Sequence, residues 1–247
     1  MGELIETEIL IVGSGIAGGS AALELAAAGY HVTLVTRAAE LNESNTYYAQ
    51  GGIIYRGVDD SPELLAKDIL HAGAGYCNLL AVKILSEDGP QLVKQILIDQ
   101  LGVQFDRASD GQLALALEGG HSIPRIVHAA DATGKSIELA LMRALKAQPN
   151  ITLLHSHTAI DLLTPSHHSL NRLTIYDPQS CVGAYLLDQS SGKVIRCLAR
   201  YTLLAAGGIG QLFLHNTNPI GARGDGIAMA YRAGARVINM EFVQFHP

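Results

Sequence analysis

The chain has 247 residues, 48% hydrophobic and 16% charged, with 26 glycines and a formal net charge of -6, enough apolar material for one large core or two moderate domains. The charge is spread without a long acidic or basic block, which argues against nucleic acid and against an anionic membrane surface as partners. Cys77, Cys181 and Cys197 are odd in number and far apart, which suits neither a disulfide framework nor a metal cluster and favours a reducing compartment.

In chain order, Glu8 to Val12 reads as a buried strand, Ala17 to Ala28 as an alanine-rich helix ending at Gly29, and Tyr30 to Val35 as a second parallel strand, completing a βαβ unit. Thr36 to Gly57 is polar and rich in glycine, as expected of a long binding loop. Helices are predicted over Ser61 to Ala72, Leu79 to Gln100 and Gly134 to Ala147, with an irregular polar segment from Phe105 to Val127 before the last. The alternation then predicts strands at Ala159 to Leu163, Leu173 to Tyr176, Val182 to Asp188 and Val194 to Cys197. Asp188-Gln189-Ser190-Ser191-Gly192 is the turn of a hairpin between the last two. A buried strand over Tyr201 to Ala206, a helix over Gly224 to Ala233 and a strand over Arg236 to Pro247 close the chain. The expected fold class is α/β: a Rossmann-like domain over residues 1–247, with a parallel sheet and an inserted antiparallel meander over residues 155–200. The end on Pro247 reads as a truncation, and the start at Met1 lacks the pattern of a secretory signal. No apolar run is long enough to span a bilayer, so the cytoplasm is the default location.

The run Ile11-Val12-Gly13-Ser14-Gly15-Ile16-Ala17-Gly18 places a glycine turn between a strand and a helix. That order matters, because the first glycine makes the turn, the second lets backbone approach a pyrophosphate and the third lets helix and strand pack closely. FAD and nicotinamide dinucleotides share this fingerprint. The acidic residue that often ends the second strand is replaced by Thr36 and Arg37, which argues weakly against a generic NAD site. His155, His157, His167 and His168 have no metal-ligand spacing, and no serine sits in a Gly-x-Ser-x-Gly elbow.

Further motifs stand at Asn45-Thr46-Tyr47-Tyr48-Ala49-Gln50-Gly51-Gly52, Glu118-Gly119-Gly120-His121-Ser122, Ala205-Ala206-Gly207-Gly208, Asn216-Thr217-Asn218-Pro219, Gly224-Asp225-Gly226 and Glu241-Phe242-Val243-Gln244-Phe245-His246-Pro247. In this order they resemble the succinate dehydrogenase and fumarate reductase flavoprotein family, most closely its L-aspartate oxidase branch, over the whole chain. The resemblance implies FAD at Gly13 to Gly18, Arg37, Asn45 to Gly52, Thr158, Ala159, Ala206, Gly207 and Asp225. Gly51 and Gly52 permit backbone to pass beside an isoalloxazine ring, and Thr46 and Gln50 supply polar partners. Succinate and fumarate enzymes commonly attach the flavin through a histidine immediately before the threonine. Asn45 stands there, and an amide cannot form that bond, so the FAD is expected to be non-covalent.

For substrate, the resemblance implies L-aspartate or another C4-dicarboxylate. An ionised Glu118 complements the aspartate ammonium group, while His246, Gln244 and His121 are candidates for the carboxylate ends. The implied reaction is oxidation of L-aspartate to iminoaspartate, with dioxygen or fumarate as final acceptor, feeding quinolinate synthase in NAD biosynthesis. The family's catalytic arginine follows its Gln-Phe-His-Pro motif and is absent here, as is most of the capping domain. A chain of this length is therefore expected to turn over little substrate. A fumarate reductase-like enzyme and a non-catalytic dinucleotide-binding module are the alternatives.

Overall fold

The computed structural model describes residues 3–40 and 43–244. Its elements in chain order are β1 (Leu4–Val12), α1 (Ile16–Ala27), β2 (Val32–Val35), α2 (Asn45–Tyr48), β3 (Ile53–Ile54), α3 (Pro62–Ala72), α4 (Leu79–Leu92), β4 (Leu115–Ala116), β5 (Ile126–Val127) and α5 (Thr133–Ala147). There follow β6 (Ile151–Leu154), β7 (His157–Leu162), α6 (Pro165–His168), β8 (Gly183–Asp188), β9 (Val194–Leu204) and α7 (Asp225–Arg232). Packing divides the chain into two compact units, residues 1–45 with 142–247, and residues 46–141.

The first unit is built on a six-stranded sheet of order β6-β2-β1-β9-β8-β7. β1 pairs in parallel with β2 and with β9, and β2 with β6, whereas β8 is antiparallel to both its neighbours. The strands of the 155–200 segment thus belong to the same sheet as β1. Period-two alternation splits β1 between the two faces: Leu10 and Val12 enter a core with Leu186, Cys197, Ile195 and Met229, while Ile11 faces α1 at Gly18. Because four adjacent strands are parallel, Val12, Val35, Leu154 and Leu204 end on one edge of the sheet. In open α/β sheets that edge is where ligands bind.

The second unit carries a three-stranded antiparallel sheet of order β3-β5-β4 with α3, α4 and the start of α5. Ser61 caps α3 by accepting from the Leu64 amide at 3.1 Å, with Pro62 in its first turn, and Asn78 caps α4 through the amides of Leu80 and Ala81, so both helices start where side-chain oxygens satisfy orphan donors. The expected helix from Leu79 continues to Gln100, but its last eight residues, Val93–Gln100, are π-helical. Pro90, inside the preceding α-helix, lacks the amide proton that an α-helical bond needs.

Several expected elements differ. Leu173 to Tyr176 is not a strand but lies in a 3-10 turn, Arg172–Tyr176. Local bonds win there: Asn171 accepts from the Leu173 amide, and the Thr174 hydroxyl lies 2.8 Å from the Asn171 carbonyl and 3.0 Å from that of Pro165. The separate strands expected at Val194 to Cys197 and Tyr201 to Ala206 are one, β9, joined through Leu198 to Arg200. Its second half is not buried, since Tyr201 is 63% exposed. Residues 236–244 form no strand: Asn239 takes a left-handed φ of 60°, and the Phe242 amide bonds back to the Asn239 carbonyl, which breaks the extended run. Residues 245–247 of that expected strand lie outside the described residues. The Thr36 to Gly57 loop contains the short α2 and β3, and β6, at four residues too short for an alternation to show, adds a sheet edge. The Asp188 to Gly192 turn forms as expected, with the Asp188 amide bonded to the Lys193 carbonyl.

Candidate functional site

In the first unit the glycine turn follows β1 directly. The Gly13 amide donates to the Val35 carbonyl at 2.8 Å and the Ala205 amide to the Val12 carbonyl at 2.8 Å, so the ends of three strands meet at the turn. Gly13 adopts φ 114°, and a Cβ there would collide with the Ala205 carbonyl; a Cβ on Gly18 would collide with the Gly13 carbonyl. Both positions need glycine. Gly15 is the N-cap of α1, and the first turn of the helix holds no acidic residue, so no carboxylate within the helix itself offsets the positive end of its dipole. Ser14 is buried, and Ile16 and Ala17 open the helix.

Around this turn the other expected positions of the unit assemble in two groups. Arg37, just past β2, pairs through Nη1 with Asp225 Oδ2 at 2.9 Å and through Nη2 with the Ile220 carbonyl at 3.2 Å. Burial and the nearby Arg223 draw its guanidinium down from the ordinary value, while the Asp225 carboxylate pulls it back. Gln189 completes the group: its side-chain amide donates to the Arg37 carbonyl at 2.7 Å and to Thr158 Oγ1 at 3.0 Å. Pattern reading used Gln189 only as a turn residue, and its position beside Arg37 in space had no signal in sequence. Ala159 lies next to Thr158 in β7, paired with Leu186. In the second group, Ala206 packs against the start of α7, where a Cβ on Gly226 would lie 2.8 Å from the Ala206 Cβ. Gly207, at φ 76°, lies beside the Asn45 side chain. Gln244 is exposed near the end of the described chain, and His246 lies outside the described residues.

In the second unit, Thr46 to Tyr48 continue α2, and the rings of Tyr47 and Tyr48 meet edge to face with centroids 5.4 Å apart. Lys135 lies 5.7 Å from the Tyr47 centroid. The loop is held from behind by Gly134, whose amide donates to the Ala49 carbonyl at 2.9 Å. A side chain at Gly134 would strike the Thr46 and Ala49 carbonyls; in sequence Gly134 carries only the signal of a helix start, because the loop it supports lies some 85 residues earlier in the chain. Gln50 and Gly51 are exposed. Gly52 packs so closely on β5 that a Cβ would lie 2.6 Å from the Val127 carbonyl, and its amide donates to Glu118 Oε1 at 3.3 Å. The structure therefore joins the tyrosine loop to Glu118, two motifs 66 residues apart in sequence.

Behind Glu118 lies a charge cluster that sequence reading did not anticipate. Arg125 is fully buried between Asp60, 3.1 Å from Nη2, and Asp68, 2.9 Å from Nη1. Asp68 Oδ2 also accepts from the Ser122 amide and hydroxyl, each at 2.9 Å. Desolvation pushes the Asp68 carboxyl up, but the Ser122 bonds and the Arg125 charge more than offset it and leave it below the ordinary value. Glu118 and Ser122, which flank the glycine pair, are thus each anchored.

Each unit by itself has features that suit part of a dinucleotide: the first a glycine turn opening a helix whose first turn holds no acidic residue, the second polar atoms along a glycine loop. The FAD binding domain family matches residues 8–247. This chain belongs to that family. Its cofactor is FAD, and since an asparagine amide forms no bond to the ring, the FAD is non-covalent. The chain is 45% identical over 241 residues to the chloroplastic L-aspartate oxidase of Oryza sativa, covering 97% of this chain and 36% of that protein. To the L-aspartate oxidase of Acinetobacter baylyi it is 44% identical over 241 residues, 97% of this chain and 43% of that one. Among solved structures it resembles the Mycobacterium smegmatis Sdh1 complex, with TM-score 0.88, 28% identity, and coverage of 99% of this chain and 41% of that chain. The quinol fumarate reductase of E. coli gives TM-score 0.83 at 25% identity, covering 93% of this chain and 37% of that one. The chain spans less than half the length of these relatives. Among the described residues no helix is long and apolar enough to cross a membrane, and no group of three or more His, Cys, Asp or Glu is placed to hold a metal ion.

Proposed function

We propose that this chain is the flavin-binding portion of an enzyme that oxidises L-aspartate to iminoaspartate, with dioxygen or fumarate as final acceptor. The observation that carries the reading is the Glu118 carboxylate held on the Gly52 amide, a negative group fixed on the same glycine loop that the family resemblance assigns to the flavin. A carboxylate there complements the ammonium of aspartate and opposes the doubly anionic succinate. The identity to L-aspartate oxidases over nearly the whole chain supports the same choice.

In this reading Gly13 to Gly18 hold the pyrophosphate on the N-terminus of α1, and Arg37, Asp225, Thr158 and Ala159 serve the adenosine half. Asn45 to Gly52, Ala206 and Gly207 line the ring. When bound, FAD supplies the hydride acceptor. Glu118 orients the substrate amine and favours loss of its proton, while His121, Gln244 and His246 bind carboxylate. We assign residues 1–247 to one flavin-binding portion, with 155–200 as its β-rich insertion. Its product would be consumed by quinolinate synthase. The free cysteines favour the cytoplasm as compartment.

A second reading, a fumarate reductase-like or succinate dehydrogenase-like flavoprotein, is favoured by the solved structures and opposed by Asn45 and Glu118. Anaerobic mixing of the FAD-loaded chain with each dicarboxylate separates them. L-aspartate is expected to bleach the flavin faster than succinate, at well below the rate of a full-length oxidase. Bleaching by succinate at an equal or greater rate establishes the second reading. Flavin that stays bound and unbleached by either marks this chain as a dinucleotide-binding portion without catalysis of its own.

A further inference from the structure

His121 sits half-buried beside the Arg125 cluster, with its Nδ1 3.5 Å from Arg125 Nη1. A guanidinium has only donors, so whatever passes between these atoms must run from arginine to histidine. Arg125 Nη1 carries two hydrogens. One is taken by Asp68 Oδ2 at 2.9 Å, which leaves the second for His121. The arginine cannot swing away, because it is fully buried and its other terminal nitrogen faces Asp60, itself fixed by the amides of Gly57 at 3.1 Å and Ser61 at 2.9 Å. A hydrogen on His121 Nδ1 would therefore point at a guanidinium N–H, two donors with no acceptor between them.

We propose that Arg125 is a positioning residue that holds His121 in a single tautomer, Nδ1 bare and Nε2 protonated, so that the ring presents one N–H donor to a carboxylate ligand. The Asp60–Arg125–Asp68 cluster is then more than a structural tie. It sets which nitrogen of a neighbouring imidazole donates, and the matching ligand is an anionic oxygen rather than a cation or a metal. Ser122 strengthens the arrangement, since its two bonds to Asp68 fix the carboxylate that in turn fixes the guanidinium. The ligand class rests on the aspartate reading above, whereas the tautomer does not.

The test is long-range proton–nitrogen correlation spectroscopy on the 247-residue chain with 15N-labelled histidine, at a pH where His121 is uncharged. The His121 signals are assigned by their loss in His121→Asn. Wild type is expected to show one tautomer, protonated at Nε2. Arg125→Lys keeps a positive charge but not the fork, and is expected to move both nitrogens toward the averaged positions of a free imidazole. Should circular dichroism show that this variant does not fold, Asp68→Asn loosens the guanidinium without removing it and is expected to shift the signals the same way by a smaller amount. A wild-type ring protonated at Nδ1, an averaged wild-type pair, or an unchanged single tautomer in the folded variant overturns the proposal. None of these results bears on aspartate against succinate, which the flavin bleaching decides by itself.

Discussion

The two units place ligand-facing atoms by different means. In the first, position is set by backbone: three strand ends converge on Gly13, and the turn closes against Ala205 and α1 against the turn because Gly13 and Gly18 have no side chains. In the second, side chains dominate, with a buried arginine and two aspartates tying down the stretch from Glu118 to Ser122. Backbone placement tolerates no added atom but is largely insensitive to charge, whereas side-chain placement responds to charge and therefore to pH.

Substitutions sharpen that contrast, and the largest effect is expected at Gly13. Gly13→Val puts a β-branched side chain at φ 114° against the Ala205 carbonyl, and should weaken FAD binding by about 3 kcal/mol, roughly a hundredfold, as read by flavin fluorescence titration. Gly134→Ala, which drives a methyl into the Thr46 and Ala49 carbonyls, should cost about 2 kcal/mol in chemical unfolding. Equal stability of wild type and Gly134→Ala would show that the tyrosine loop does not depend on that packing.

Charge changes should be milder. Arg37→Ala breaks a pair whose partner Asp225 is about half exposed, so it should lower stability by no more than about 1 kcal/mol; a larger loss of FAD affinity than of stability would mark Arg37 as a ligand contact. The smallest and most diagnostic effect is on acid stability. Because the folded-state Asp68 carboxyl is held below its ordinary value, its contribution is present above the unfolded value, about 3.9, and fades as pH falls through the lower folded value. Thermal unfolding followed through that acid range should therefore decline less steeply for Asp68→Asn than for wild type.

Much of the first unit was legible in sequence because its signals are local. A strand, a glycine turn and an alanine-rich helix stand in order between Glu8 and Ala28, and the hairpin turn at Asp188 to Gly192 uses residues suited to tight turns. What failed there was also local in cause: Thr174 and Asn171 found backbone partners nearer than any strand, and Asn239 turned left-handed in a run whose alternation looked extended. The candidate site was legible as motifs but not as geometry. Nothing in Glu118-Gly119-Gly120-His121-Ser122 tells that its glutamate reaches Gly52. Arg125 gave no warning either, because burial of an arginine depends on carboxylates that precede it by 57 and 65 residues in the chain. Gln189 illustrates the same gap, as its bonds to Arg37 and Thr158 span 152 and 31 residues.

The amide of Asn45 beside Gly207 has a consequence for the life of the molecule. A cofactor that is not chemically attached comes and goes by mass action, so the folded chain gains RT ln(1 + [FAD]/Kd), about 2.7 kcal/mol at a hundredfold excess over Kd and nothing when the nucleotide runs out. Resistance to heat and to proteases would then rise and fall with the concentration of free FAD.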